Sequence, residues 1–322
     1  MDAIAKSLPP FLDRECLARL MGLDDYFGAV ESAFLAHAEG RTNMPLPLHI
    51  AVEGGGFHAK GAMVGRYVAV KVNSNFPANP ARGLPTIQGA VLLYDAADGR
   101  LLAVLDSMGI TSKRTAAASA LAARHLARAD ARTVAILGCG EQGRAHLAAL
   151  WSARPVERAY AWDAAAQKAR DFAQEMGDAL EIDIAAVQEL RDATLASDII
   201  VTATSSQVPF LARADVRPGT FIAAIGADNP HKSELDPDLF IDTKVVVDSF
   251  EQASTMGDLH HALSRCEGRG IIHAELAEVV SGRKRGRTDD IEITVFDSTG
   301  LAIQDVASAA IAYTRFLEGD KP

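Results

Sequence analysis

From residue 13 to about residue 39, apolar side chains return at helical spacing: Leu17, Leu20 and Met21, then Tyr26, Val30, Phe34 and Leu35. A polar, proline-rich turn covers residues 40–47. The pattern then shortens to apolar runs at 48–52, 67–72, 88–95 and 101–105, with turn signals at 54–56, 75–85 and 95–99. This predicts a mixed or antiparallel meander. Thr111 opens an alanine-rich helix that runs through Leu126, with Ser112, Lys113 and Arg114 in its first turn. From Thr133 the reading alternates strand and helix. Strands fall at 133–137, 159–162, 199–203, 221–225 and 245–247, with helices from 143 and over 164–176. That alternation predicts a parallel, doubly wound sheet. A last helix over 306–317 is placed back on the first domain.

The predicted fold is therefore α/β. A Rossmann-type doubly wound parallel sheet over residues 123–305 joins a discontinuous α+β substrate-binding and dimerisation domain over 1–122 and 306–322. Composition changes this little: 48% hydrophobic and 23% charged residues are the balance of a globular protein. The formal net charge of -10 argues against non-specific nucleic-acid binding. The basic run from Arg283 to Arg287 reads as a solvated loop. Cys16, Cys139 and Cys266 lie far apart without metal-ligand spacing, which points to a reducing cytoplasm and no metal site. No apolar run has the length of a membrane span, and the first residues do not form a signal peptide.

The chemistry enters at Gly138-Cys139-Gly140-Glu141-Gln142-Gly143, directly after the strand 133–137 and before a helix. That context converts a weak glycine motif into a dinucleotide-binding turn. Gly138 serves the tight turn, Gly140 the approach of the pyrophosphate, and Gly143 the packing of helix on strand. The pyrophosphate would rest on free helical N–H groups. Asp163, just past the second strand, would accept hydrogen bonds from the adenosine ribose and repel a 2′-phosphate. NAD(H) is the predicted cofactor and NADP(H) the alternative.

Several longer motifs together resemble the ornithine cyclodeaminase/mu-crystallin family. They are Lys71-Val72-Asn73 with Phe76-Pro77, Asn79-Pro80-Ala81-Arg82-Gly83-Leu84-Pro85-Thr86, Ile110-Thr111-Ser112-Lys113-Arg114-Thr115, Gly226-Ala227-Asp228-Asn229-Pro230-His231-Lys232-Ser233-Glu234-Leu235-Asp236, and Phe296-Asp297-Ser298-Thr299-Gly300. They occur in order over nearly the whole chain. The resemblance implies hydride exchange between a nicotinamide and the α-carbon of an amino acid or its imine, in a homodimer.

Lys71 ends an apolar strand, and Arg114 stands near the start of a helix, where a cation opposes the dipole. Both suit a substrate carboxylate, and Arg114 suits the cofactor as well. The resemblance also gives Lys71 a part in proton transfer. Asp228 follows a strand at the carboxyl edge of the sheet, and the resemblance makes it the catalytic acid/base. It further implies cofactor contacts for Thr86, Lys232, Ser298 and Thr299. Thr204, at the end of the strand 199–203, is a cofactor contact by position.

Two departures bear on the substrate. Pro47 stands where many family members have a carboxylate-binding arginine, with Arg41 nearby but out of register. His58 and Lys60 occupy the next strand, two apart and so on one face, where ornithine cyclodeaminase has a glutamate. Lys60 is read as the replacement carboxylate ligand, and His58 as a substrate contact that disfavours ornithine. The reading is an amino-acid dehydrogenase or ketimine reductase. The alternatives are an ammonia lyase of the cyclodeaminase kind and a non-catalytic binding protein of the mu-crystallin kind.

Overall fold

The computed structural model describes residues 8–265 and 271–319, so Cys266 lies outside the described residues. The chain divides into two compact units, Met1–Arg114 with Ala302–Pro322 and Thr115–Leu301. The first division falls inside the helix Ser107–Leu126 rather than at 122/123, and the second falls before the helix Ala302–Glu318 rather than at 305/306.

In the first unit, the periodicity over 13–39 resolves into two helices, Arg14–Leu20 and Leu23–Ala38, because Gly22 takes an extended backbone between them. Asp13 caps the first helix by accepting a hydrogen bond from the Cys16 N–H at 2.8 Å. The strands are β1 (Phe11–Leu12), β2 (Thr42–Asn43), β3 (Leu48–Val52), β4 (Gly55–Val64), β5 (Tyr67–Asn75), β6 (Ile87–Asp95) and β7 (Leu101–Asp106). They form one sheet in the order β1-β7-β6-β5-β4-β2, with β3 also paired to β4. The glycine run at 54–56 is less of a turn than its composition predicts. Gly54, at φ 78°, makes the bend, whereas Gly55 already lies in β4. A Cβ at Gly55 would stand 2.5 Å from the Asn75 carbonyl oxygen, so the strand passes here only without a side chain.

The register decides which residues share a face. Lys60 lies opposite Lys71 and His58 opposite Asn73, with Val91 beside Lys71. The helices Leu23–Ala38 and Ala302–Glu318 pack on this sheet. Leu48, Ile50, Val52, Phe57 and Val72 alternate onto the opposite face, and all five are exposed.

In the second unit the strands are β8 (Thr133–Leu137), β9 (Arg158–Trp162), β10 (Asp183–Ala186), β11 (Ile199–Thr202), β12 (Phe221–Ala224), β13 (Lys244–Val247), β14 (Ile272–Glu275) and β15 (Thr294–Asp297). All pair in parallel, in the order β10-β9-β8-β11-β12-β15-β13-β14. The short runs β10, β14 and β15 do not stand out in the sequence. The central strands are buried on both faces, as a doubly wound sheet requires. The order reverses between β8 and β11, the switch point at which such sheets bind ligands. Arg287, expected in a solvated loop, is instead a tie. Its guanidinium donates to the carbonyls of Leu126 at 2.7 Å and Glu292 at 2.6 Å.

Candidate active site

The second unit presents a glycine turn at its switch point. Gly138 has φ 108°, and a Cβ there would lie 2.5 Å from the Ala203 carbonyl oxygen. A Cβ on Gly143 would stand 2.3 Å from the Gly138 carbonyl oxygen. Both positions therefore exclude larger residues for reasons of close packing. Gly140 differs, because a Cβ there would meet nothing within 4 Å. Its surface is open, in front of the helix Glu141–Ala153, whose start has no side-chain cap. Open space, uncapped N–H groups and a helix dipole fit a pyrophosphate. Glu141 and Gln142 form the first turn of that helix.

Asp163 is half-buried and reaches the turn, where its Oδ2 accepts the Cys139 N–H at 3.0 Å and its Oδ1 the Ala165 N–H at 2.9 Å. The carboxylate is thus oriented before any ribose arrives. Cys139 beneath it is no nucleophile, since burial and the Asp163 charge push its thiol up to about 12. Thr204 lies against the turn: its Cγ2 would be 3.0 Å from a Cβ on Gly138.

After β12 the chain carries Asp228, exposed, and Lys232. The lysine Nζ donates to the Asp228 Oδ1 at 2.8 Å. Sequence reading assigned these two residues separately, yet they form one pair. Ser298 and Thr299 follow β15 and are buried. The Thr299 hydroxyl donates to Asp248 and accepts from the Gln252 amide, both at 2.8 Å, so its hydrogen bonds are already committed to the protein.

In the first unit, Lys71 and Arg114 converge on one acid, Asp305. Lys71 Nζ donates to Asp305 Oδ1 at 2.9 Å and to the Thr111 hydroxyl at 3.1 Å. Arg114 Nε donates to the same Oδ1 at 3.0 Å, and its Nη1 to the side-chain Oε1 of Gln304 at 2.9 Å. Asp305 Oδ2 approaches Nζ at 2.8 Å but off the hydrogen-bond direction, so charge alone holds it. All three charged groups are no more than 3% exposed. Burial opposes ionisation of Asp305, yet the Arg114 and Lys71 charges outweigh it and hold the carboxyl at about 2. Burial and the Arg114 charge push the Lys71 ammonium well below its ordinary value. Two cations against one anion leave one positive charge uncancelled among these groups.

Lys60, directly across from Lys71, adds its field to both Lys71 and Asp305. The His58 ring lies against that of His49, with centroids 4.4 Å apart and the planes tilted by 40°. Arg41 pairs with Glu39 at the surface and takes no part in the cluster. Thr86 precedes β6, where its carbonyl accepts the Phe76 N–H at 2.8 Å. One premise about Arg114 changes. Its helix starts at Ser107, not at Thr111, so Arg114 sits well inside it and the end of the helix dipole is not what it opposes. The early start is set by Asp106, which accepts the Gly109 N–H at 2.6 Å.

Known proteins resemble the chain over nearly its whole length. The family model described as the ornithine cyclodeaminase/mu-crystallin family matches residues 11–320. The chain belongs to this family. It is 38% identical over 310 residues to alanine dehydrogenase of Archaeoglobus fulgidus, covering 95% of this chain and 94% of that one. It is also similar to the solved structure of an archaeal alanine dehydrogenase dimer with bound NAD, with a TM-score of 0.92, 37% identity and 96% of each chain covered. Δ1-pyrroline-2-carboxylate reductase of Thermococcus litoralis, in complex with NADH and L-proline, superposes with a TM-score of 0.93 at 37% identity, covering 96% of this chain and 98% of that one. The chain is an enzyme, an NAD(H)-dependent oxidoreductase of amino acids or their imines.

In this member of the ornithine cyclodeaminase family, the residue that sequence reading missed is Asp305. It stands 234 positions from Lys71 and carries no local motif. The available signal was an acid on the apolar face of the last helix, in Ala302-Ile303-Gln304-Asp305-Val306, where burial of an acid calls for a cation.

Proposed function

We propose that the enzyme interconverts an α-amino acid and its ketimine, with Asp228 as acid/base and with Lys71, Arg114 and Lys60 as the carboxylate site. The observation that carries the reading is the uncancelled positive charge of the buried Lys71–Arg114–Asp305 cluster, which an incoming carboxylate neutralises. Arg114 and Lys71 supply charged donors and hold the substrate in one orientation. When bound, the nicotinamide takes up or supplies the hydride. Asp228, oriented by Lys232, takes the proton from the amine or returns it to the imine nitrogen. Burial and the Arg114 charge lower the Lys71 pKa from its ordinary value, which suits it to pass a proton as well as to bind. His58, on the same face as Lys60, borders the substrate side chain. Gly138, Gly140, Glu141, Gln142, Gly143, Asp163 and Thr204 hold the dinucleotide, Asp163 favouring NAD(H) over NADP(H).

The substrates to test first are those named for the relatives: L-alanine and L-proline with NAD, and pyruvate with ammonia and Δ1-pyrroline-2-carboxylate with NADH. Turnover should follow NADH absorbance, and Asp228→Asn should lower kcat roughly 10²–10⁴-fold with NADH binding retained. Full activity in that variant removes Asp228 from the chemistry. Ammonia release without net change in NADH would move the assignment to a cyclodeaminase.

The exposed apolar face of the first unit's sheet, Leu48, Ile50, Val52, Phe57 and Val72, supports a homodimer. Ile50→Asp should then run as a monomer in sedimentation, and an unchanged dimer would exclude this face. The buried free thiols of Cys16 and Cys139 suit the reducing cytoplasm. Among the described residues, no helix is long and apolar enough to cross a membrane.

A further inference from the structure

The second unit buries four carboxylates at or past the carboxyl ends of its strands: Glu234, Asp248, Asp258 and Asp297, none more than 1% exposed. Glu234 touches the two turns that matter most. Its Oε1 accepts the Thr204 N–H at 2.6 Å, and its Oε2 accepts the Thr202 hydroxyl at 2.6 Å and the Gly226 N–H at 2.9 Å. A Cβ on Gly226 would lie 2.3 Å from Oε1, so the contact admits only glycine there. Behind it, Asp258 Oδ1 accepts the N–H groups of Glu234 at 2.7 Å and Leu235 at 3.0 Å. One side chain thus joins the end of β11, with Thr204, to the loop after β12, with Asp228 and Lys232.

We propose that Glu234 is a positioning residue that clamps the Thr204 and Gly226 backbones together, so that the cofactor contact and the acid/base loop hold one arrangement. The proposal rests on the reading of Thr204 and Asp228 given above. Three donors converge on one carboxylate, and an ionised carboxylate is acceptor-only, whereas glutamine would turn an N–H against donors. Burial and the Asp258 charge push the Glu234 carboxyl up to about 7, against the threonine hydrogen bonds. The charged and titratable groups around it are Asp258, then Asp297 and Asp248 behind, and on the loop itself the Asp228–Lys232 pair with His261, whose Nε2 lies 3.0 Å from the Lys232 carbonyl oxygen. A proton on Glu234 replaces one acceptor by a donor and loosens the clamp.

The test measures NADH affinity by fluorescence at about pH 8.5 and about pH 6, with melting temperature alongside, for wild type, Glu234→Gln and Thr202→Val. Wild type should lose affinity toward the lower pH. Glu234→Gln should bind NADH about tenfold more weakly at the higher pH and show little further loss. Thr202→Val, an isosteric change that removes one donor, should bind less weakly than that and move the midpoint of the loss to higher pH. Wild-type affinity and pH dependence in Glu234→Gln overturn the proposal, as does a change confined to its melting temperature. Should that variant fail to fold, an unmoved midpoint in Thr202→Val overturns it alone. If Asp228→Asn keeps full turnover, the acid/base assignment fails, while the NADH measurements still decide the role of Glu234.

Discussion

The two units bury charge in opposite ways. In the first, one acid answers two cations, and Asp305 stays ionised with its carboxyl held at about 2. In the second, Glu234 and the Oδ1 of Asp258 accept from N–H and hydroxyl donors while the buried Asp258 Oδ2 has no hydrogen-bond partner, and burial raises the two carboxyls to about 7 and about 6. The difference teaches that hydrogen bonds from neutral donors hold a buried carboxylate in place but do not cancel its charge, whereas cations do both. An over-cancelled acid leaves positive charge beside it, whereas a set of under-cancelled acids favours the protonated form.

The largest effect should come from Asp305→Asn, which leaves Lys71 and Arg114 buried without an anion. Urea unfolding should show a loss of about 3–5 kcal/mol. The matching change in the other unit, Asp258→Asn, keeps an acceptor for its N–H donors and removes a like charge, so its cost should stay within about 1 kcal/mol. Equal costs would erase the contrast.

A smaller effect lies in pH. Asp305 has a depressed pKa, so its contribution is present above its ordinary value of 3.8 and is lost as pH falls through about 2. Glu234 has a raised pKa, so its contribution is present below 4.5 and is lost as pH rises through about 7, and Asp258 behaves likewise from 3.8 through about 6. Between about pH 5 and pH 8 these acids should lower stability by on the order of 4 kcal/mol. Urea midpoints at the two pH values should differ less in Glu234→Gln than in wild type. A difference of the same size in both would remove Glu234 from that window.

The smallest effect belongs to Lys60, half-buried at the edge of the cation cluster. Lys60→Ala should raise KM for the amino acid up to about fivefold with kcat little changed. An unchanged KM would exclude Lys60 as a carboxylate ligand.

Much of this was legible before any coordinates. The glycine turn works through neighbours two to five positions apart, and such spacing survives in a linear text. Gly138 and Gly143 indeed sit where a Cβ cannot. The alternation of strands and helices likewise showed a doubly wound sheet. The short strands β10, β14 and β15 were hidden because a run of four residues is too short to show a period of its own. The start of the helix at Ser107 was hidden because the residue that caps it, Asp106, is also the last residue of the preceding strand.

By itself the sequence determined the cofactor and the parallel sheet, since each depends on local spacing or on motifs carried in order along the chain. Only the tertiary structure decided how charge is balanced. Asp305 reaches Arg114 across 191 positions and Lys71 across 234, and Glu234 reaches Thr202 across 32. Whether a buried charge is cancelled depends on which groups share a low-dielectric space, and that is a property of packing rather than of sequence order.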